Sequence, residues 1–82
     1  MYPAGMRKYA VLIDDGELIA STPGVEFPDM ERAVASTVRA ALAIVSDQEM
    51  TPGRQSLRCE VQDRGTRELR RLSVTVAVSI DQ

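Results

Sequence analysis

Three acids near the start of the chain are the first group that could do chemistry. Asp14, Asp15 and Glu17 stand close together, and carboxylate oxygens are ligands that divalent cations accept. A calcium loop alternates its ligands over a longer stretch, whereas the Asp15-Gly16 pair is typical of a tight hairpin turn. We therefore interpret the acids as part of a turn and predict no metal site.

Asp29, within the segment GVEFPDMERA, is a further acid that could serve either catalysis or structure. It comes directly before a helical pattern that begins at Met30, where a carboxylate accepts the free amide hydrogens of the first turn. Phe27, just before it, is placed to pack onto that turn. These positions predict that Asp29 is the N-cap of the helix and has no catalytic role.

Composition argues against an enzyme. The chain contains no histidine, which is the commonest general base and the commonest metal ligand. Cys59, the single cysteine, lies at an apolar position of a predicted strand without a partner base, so we predict a buried, inert thiol. No phosphate-binding loop or nucleophile motif is present. The sequence predicts a non-enzymatic protein with no catalytic residue, no metal, no cofactor and no identifiable small-molecule substrate.

Arginines concentrate in the second half of the chain. Residues 1–50 carry four basic and eight acidic residues, whereas residues 51–82 carry six arginines and four acids. The candidate basic patch consists of Arg58, Arg64, Arg67, Arg70 and Arg71. Arginines contact phosphates, but aromatic residues make up only 4% of the chain and none stands among these arginines, which leaves no stacking platform for single strands. Nucleic acid is therefore the less favoured partner.

Five elements position these groups. Alternating patterns predict strands over 8–13, 17–21, 56–63 and 69–80, with a turn after the first and a hairpin loop over 64–68. A loop is predicted over 47–55, around a Pro-Gly pair. A helix is predicted over 30–46, because apolar and small residues recur there every three or four positions. The predicted buried stripe is Met30, Ala33, Val34, Thr37, Val38, Ala41, Leu42 and Val45.

The order strand, strand, helix, strand, strand predicts an α+β fold, ββαββ, with the helix on one face of a four-stranded sheet. We expect a single domain over 7–80 and a flexible N-terminal extension over 1–6. Arg58 and Glu60 point outward from the third strand, as on an exposed edge. The outward residues of the first and fourth strands are uncharged, which favours a central position in the sheet for both strands. The predicted strand order is therefore 2-1-4-3, a grasp-like arrangement with the first and fourth strands parallel.

If the first and fourth strands are central neighbours, their outward residues form an almost uncharged surface. This candidate interaction face consists of Ala10, Leu12, Ser73, Thr75, Ala77 and Ser79. A surface of this kind favours association, because solvated sheet faces usually carry charged residues. We predict a protein-interaction module that forms a homodimer or binds a protein partner through its sheet.

Simple features of the 82-residue chain indicate its cellular compartment. No apolar run approaches the ~20 residues of a spanning helix, and the first residues lack the apolar region of a signal peptide. A single cysteine forms no internal disulfide, which fits a reducing compartment. We expect a cytoplasmic protein with no membrane partner.

The motifs KYAVLIDDG, GVEFPDMERA and CEVQD resemble a family of small bacterial proteins classed as a domain of unknown function. The resemblance covers about residues 7 to 80 and suggests that translation starts at Met6. The chain has Cys59 where the family has an aromatic residue. The resemblance implies no established activity. The positions that match the family pattern are Asp14, Gly16, Gly24, Glu26, Pro28, Asp29, Glu60, Val61 and Asp63.

A weaker resemblance is to the antitoxins of the Hic type. They share a Lys-Tyr strand, a later Phe-Pro-Asp and an alanine-rich helix. Those proteins usually place a further strand between Phe-Pro-Asp and the helix, whereas Met30 here enters the helix directly. This resemblance implies the alternative function, an antitoxin-like or regulatory protein that contacts nucleic acid through the arginine-rich second hairpin.

Overall fold

A computed structural model describes residues 6–16, 19–47 and 52–81 of the protein. The described residues form four strands and one helix. They are β1 Arg7–Asp14, β2 Ile19–Phe27, α1 Met30–Asp47, β3 Gly53–Asp63 and β4 Leu69–Val78. The α+β class and the ββαββ order are confirmed. Residues 1–5 of the predicted N-terminal extension lie outside the described residues.

Helix α1 begins where the sequence predicts it. The Arg32 amide donates a hydrogen bond to Oδ1 of Asp29 across 2.8 Å. The Ala33 amide donates to the carbonyl oxygen of Asp29 across 3.1 Å. The predicted N-cap is therefore confirmed. The Phe27 ring lies 6.1 Å from the Tyr9 ring, centroid to centroid, and ties the start of the helix to β1.

Helix α1 packs on the sheet through a narrow stripe of mostly small side chains. The Thr37 hydroxyl, buried in this stripe, donates to the Ala33 carbonyl across 2.8 Å. Leu42, predicted for the stripe, is instead 44% exposed, while Ile44 packs against the core. At about 100° per residue, Leu42 lies far from the centre of the stripe and Ile44 lies within it. The buried residues of the helix are Ala33, Thr37, Ala41 and Val45.

No helix in the described part of the chain is long and apolar enough to cross a membrane.

The sheet has the order β2-β1-β3-β4, and every neighbouring pair is antiparallel. The predicted order 2-1-4-3, with its parallel grasp-like pair, is wrong. The prediction took the outward charges of β3 as the mark of an edge. In the structure these charges lie on the face that the helix leaves uncovered. Water solvates charged groups there, so they do not exclude β3 from the centre.

Strand β3 is central because its helix-facing side chains need neighbours on both sides. Leu57, Cys59 and Val61 are at most 2% exposed. Cys59 lies opposite Ile13 of β1 and opposite Leu72 of β4. Burial of an apolar side chain of this size stabilises a fold by about 1.5–3 kcal/mol. An edge position would expose one flank of this row to water.

Strand β2 is longer and less regular than predicted. It continues through Pro23 and Gly24, where the sequence predicted its end, and stops only before α1. The register shifts at this point, since the two-residue step from Tyr9 to Val11 on β1 opposes a three-residue step on β2. The extra residue is a β-bulge. Pro23 is tolerated because β2 is an edge strand with one unpaired side.

Strands β3 and β4 form a long hairpin that extends past β1. They pair without a break from Gly53 opposite Val78 to Gln62 opposite Leu69. The pairing of β1 with β3 reaches only from residue 58 to residue 63. Strand β3 therefore starts earlier than predicted and replaces the end of the predicted loop. Residues 48–51 of that loop lie outside the described residues.

Candidate functional site

The predicted interaction face lies on the side of the sheet away from α1, termed the open face. Strand alternation places five of its six predicted residues there, while Ser79 follows the end of β4 and is exposed. Strand β3 separates the β1 members from the β4 members, so the expected contact between the two groups is absent. The five residues are Ala10, Leu12, Ser73, Thr75 and Ala77.

The open face carries charged and apolar side chains together. Leu12 lies opposite Glu60, and Glu60 lies opposite Arg71 in one row across three strands. The Arg71 Nε donates to Oε1 of Glu60 across 3.1 Å. In the next row Asp14 lies opposite Arg58. These five residues line one open depression, in which two acids balance two arginines.

The candidate basic patch does not form one surface. Arg58 and Arg71 project from the open face, whereas Arg70 has the helix-facing parity of β4. Arg70 Nη2 donates to Oε1 of Glu68 across 3.4 Å. Both side chains of this pair are at least half exposed, so water screens the interaction.

The remaining two arginines lie in the turn between β3 and β4. Arg67 has a φ of 67°, a left-handed conformation that is uncommon for this residue type. The Arg64 amide donates to the Lys8 carbonyl across 2.9 Å. Its Nη1 reaches past β1 and donates to the Pro23 carbonyl across 2.7 Å. Arg64 therefore fastens the second hairpin to the bulge of β2.

Asp63 is a buried carboxylate at the end of β3, 2% exposed. Its Oδ1 accepts hydrogen bonds from the Thr66 amide at 3.2 Å and the Gly65 amide at 2.8 Å. Nη1 of Arg7 lies 3.3 Å from its Oδ2. The Thr66 hydrogen bond lowers the pKa of Asp63; burial opposes this effect, and the Gly65 hydrogen bond and Arg7 add to it. The ionised group fixes the turn that follows.

Asp63 matches the family pattern, but no separate role was predicted for it. The Asp-x-Gly pattern at 63–65 repeats the pattern at 14–16 and could have predicted the turn. In the first turn Oδ1 of Asp14 accepts from the Gly16 amide, also at 2.8 Å. The burial of Asp63 and its contact with β1 carry no comparable sequence signal.

Asp14 holds the backbone at Gly16, where the sequence predicted a turn. Gly16 has a φ of 97°, which glycine adopts without strain, and its amide is held by Asp14. Glu17 lies outside the described residues. Within 6–16, 19–47 and 52–81, no three His, Cys, Asp or Glu residues are grouped so as to hold a metal ion.

Two more reactive groups are buried on the helix-facing side. Tyr9 and Cys59 are each 1% exposed, which confirms the predicted burial of the thiol. Burial raises the pKa of the Tyr9 hydroxyl, and the Asp63 carboxylate adds to this effect. Burial also raises the pKa of the Cys59 thiol. A raised pKa disfavours the thiolate, which is the nucleophilic form.

Together these features define a class, the small α+β domain in which one helix covers one face of an antiparallel sheet and the other face stays open. The family described as Domain of unknown function (DUF6894) matches the chain over residues 8–75. The chain belongs to this family, which confirms the predicted resemblance to a domain of unknown function. No curated protein and no solved structure shows a significant match.

Proposed function

We propose that the domain is a non-enzymatic protein-interaction module, active in the cytoplasm, that binds a protein through the open face of its sheet. The observation that carries this proposal is the row of Leu12, Glu60 and Arg71 on the face that α1 leaves uncovered. It offers an apolar, an acidic and a basic group side by side. Protein interfaces combine apolar contacts with complementary charges in this way.

The charge balance of the open face favours a protein over a polyanion. Asp14 and Glu60 lie beside Arg58 and Arg71, so a phosphate that approaches either arginine also meets a carboxylate. Binding to nucleic acid gains affinity from each phosphate that is neutralised. A protein surface can instead place opposite charges against both signs.

The non-enzymatic part of the proposal rests on the state of the reactive groups. Cys59 is buried among apolar side chains, away from the open face. Asp63 is occupied by the turn amides and by Arg7. The Asp63 carboxylate is therefore engaged within the fold, and the Cys59 side chain belongs to the apolar core.

The alternative is an antitoxin-like or regulatory protein that contacts nucleic acid through the second hairpin. One observation favours it, because Arg54 and Arg58 share the outward parity of β3 and are both exposed. Against it, Arg64, Arg70 and Arg71 already donate to oxygens of the same chain.

Affinity capture with three matched baits tests the proposal. We expect wild-type protein and the control Ala43→Lys, on an exposed helix position, to retain the same partner. The double variant Leu12→Lys/Thr75→Lys should retain at least about tenfold less, because two lysines on the open face break complementarity. Circular dichroism of each bait verifies that the fold is intact.

Two outcomes would contradict the open-face site. One is a partner that all three baits retain equally. The other is salt-sensitive binding of an RNA or duplex DNA oligonucleotide, lost in Arg54→Ala/Arg58→Ala, without any retained protein. The second outcome would favour the nucleic-acid alternative, since phosphate contacts weaken with added salt.

A further inference from the structure

The two edges of the sheet differ in how they are protected. Strand β2 forms one edge, and it carries Pro23, Gly24 and a bulge. Bulges and prolines are common devices that prevent an edge strand from pairing with another chain. Strand β2 is therefore a poor template for a further strand.

Strand β4 forms the other edge and lacks these devices. It pairs with β3 over its full ten residues without a shift in register. The segment LSVTVAVSI, residues 72–80, contains no charge, no proline and no glycine. Ile80 at its end is 68% exposed. As an edge strand, β4 directs one row of backbone amides and carbonyls away from β3.

We propose that β4 pairs with β4 of a second copy, antiparallel and centred on Val76. This pairing uses the backbone edge of β4 and shares only Arg71 with the open-face row, so the inference goes beyond the proposed function and does not depend on it. On the helix side, Leu72 then lies opposite the partner's Ile80, and Val74 opposite the partner's Val78. On the open side, Arg71 lies opposite the partner's Asp81.

Charge and parity select this register. A shift by one residue would place helix-facing side chains of one copy against open-face side chains of the other. A shift by two residues in one direction places Arg70 against the partner's Ile80. A shift by two in the other direction places Asp81 opposite Ser73 and removes its pairing with Arg71. The central register alone matches the apolar residues and the opposite charges together.

The dimer would provide additional partners for Arg71 and for residues 79–81. Arg71 would lie between Glu60 of its own chain, at 3.1 Å, and the partner's Asp81. Strand β4 ends at Val78 because β3 begins at Gly53, its last pairing partner. Residues 79–81 would gain strand partners from the second copy. The result is one continuous sheet with both helices on the same side and both open faces joined.

Light scattering and analytical ultracentrifugation test the pairing. We expect wild-type protein to show a concentration-dependent dimer. Asp81→Arg should raise the dissociation constant at least about tenfold, since like charges replace an ion pair at both symmetric positions. Arg71→Glu/Asp81→Arg should recover most of the affinity. Leu12→Lys, two strands away on β1, should leave the dimer unchanged.

Disulfide cross-linking tests the register. Val76→Cys should link two copies under mild oxidation, because each Val76 faces its own counterpart at a separation suited to a disulfide. Val78→Cys should not, since it faces Val74. Cys59 is buried and does not compete.

Three results would overturn the inference. A monomeric mass at every concentration would exclude the pairing of β4 with a second copy. It would leave the open-face proposal unaffected. A dimer that Leu12→Lys disrupts and Asp81→Arg does not would place the contact on the open face. Equal cross-linking by Val76→Cys and Val78→Cys would exclude the two-fold register.

Discussion

Two aspartates end two strands of this protein and make the same local hydrogen bond, but in different surroundings. Asp14 ends β1 and Asp63 ends β3, and each accepts the amide of the glycine two residues later at 2.8 Å. The Asp14 bond is exposed. Asp63 is buried and also holds Thr66 and Arg7.

The difference shows that a turn motif alone does not determine how much its hydrogen bonds contribute to the free energy of unfolding. In water, a lost turn hydrogen bond is replaced by hydrogen bonds to solvent. Removal of the Asp63 carboxylate instead takes the acceptor from two partly buried amide hydrogen bonds and the partner from Arg7, and the cost is larger. Asp29 also holds one exposed amide, but it is the N-cap of α1, a position whose loss typically costs about 1 kcal/mol.

Asp63→Ala should cause the largest loss of unfolding free energy among the three aspartates. It removes the acceptor of two turn amides and the partner of Arg7. We expect a loss at least about twice that of Asp29→Ala in urea melts. Asp63→Asn, which keeps an oxygen for the amides, should fall between Asp63→Ala and wild type. Equal urea midpoints for Asp63→Ala and wild type would show that the contacts of Asp63 do not contribute to stability.

The lowered pKa of Asp63 also predicts a pH dependence. Its folded pKa lies below the ordinary value of 3.8, so the folded state binds the proton less readily than the unfolded state. The stabilisation is therefore full above that value and is lost as the pH falls through the folded pKa. Urea midpoints measured from pH 6 downward should decline less steeply in Asp63→Asn than in wild type. Parallel curves would contradict the assignment.

Asp29→Ala should lower the free energy of unfolding by about 1 kcal/mol, through loss of the N-cap acceptor of the Arg32 amide. Asp29→Ser, which restores a cap oxygen, is the matched control and should recover most of this loss. Urea denaturation followed by circular dichroism measures both. A variant as stable as wild type would reopen a functional role for Asp29.

Asp14→Ala should have the smallest effect, about 0.5 kcal/mol, because water reaches the Gly16 amide when the carboxylate is removed. The same urea melts apply, with Asp14→Asn as the control. A loss as large as that of Asp63→Ala would show that the local motif, rather than burial, sets the energy of both turns.

Local features of the fold could be predicted from the sequence. The N-cap Asp29, the Asp-Gly turn at 15–16 and the helical stripe depend on residues within a few positions of one another. The strand ends were less accurate. Pro23 and Gly24 suggested an end to β2, but an edge strand with a bulge accommodates both.

The candidate site could be predicted only in part. Alternation placed Leu12 and Thr75 on the outward side of their strands, and the structure agrees. Their expected neighbours were wrong, because outward charge on β3 was taken to indicate an edge. Whether Glu60 contacts Arg71 depends on which strands are adjacent, and that information is not local.

The sequence by itself determined the number, type and order of the elements, because periodicity, caps and turns act over short distances along the chain. The tertiary structure decided which strands lie side by side. Under the helix, Cys59 of β3 requires apolar neighbours on both sides, Ile13 of β1 and Leu72 of β4. That requirement placed β3 in the centre, left β4 at an open edge and buried Asp63, since burial depends on contacts between residues far apart in sequence.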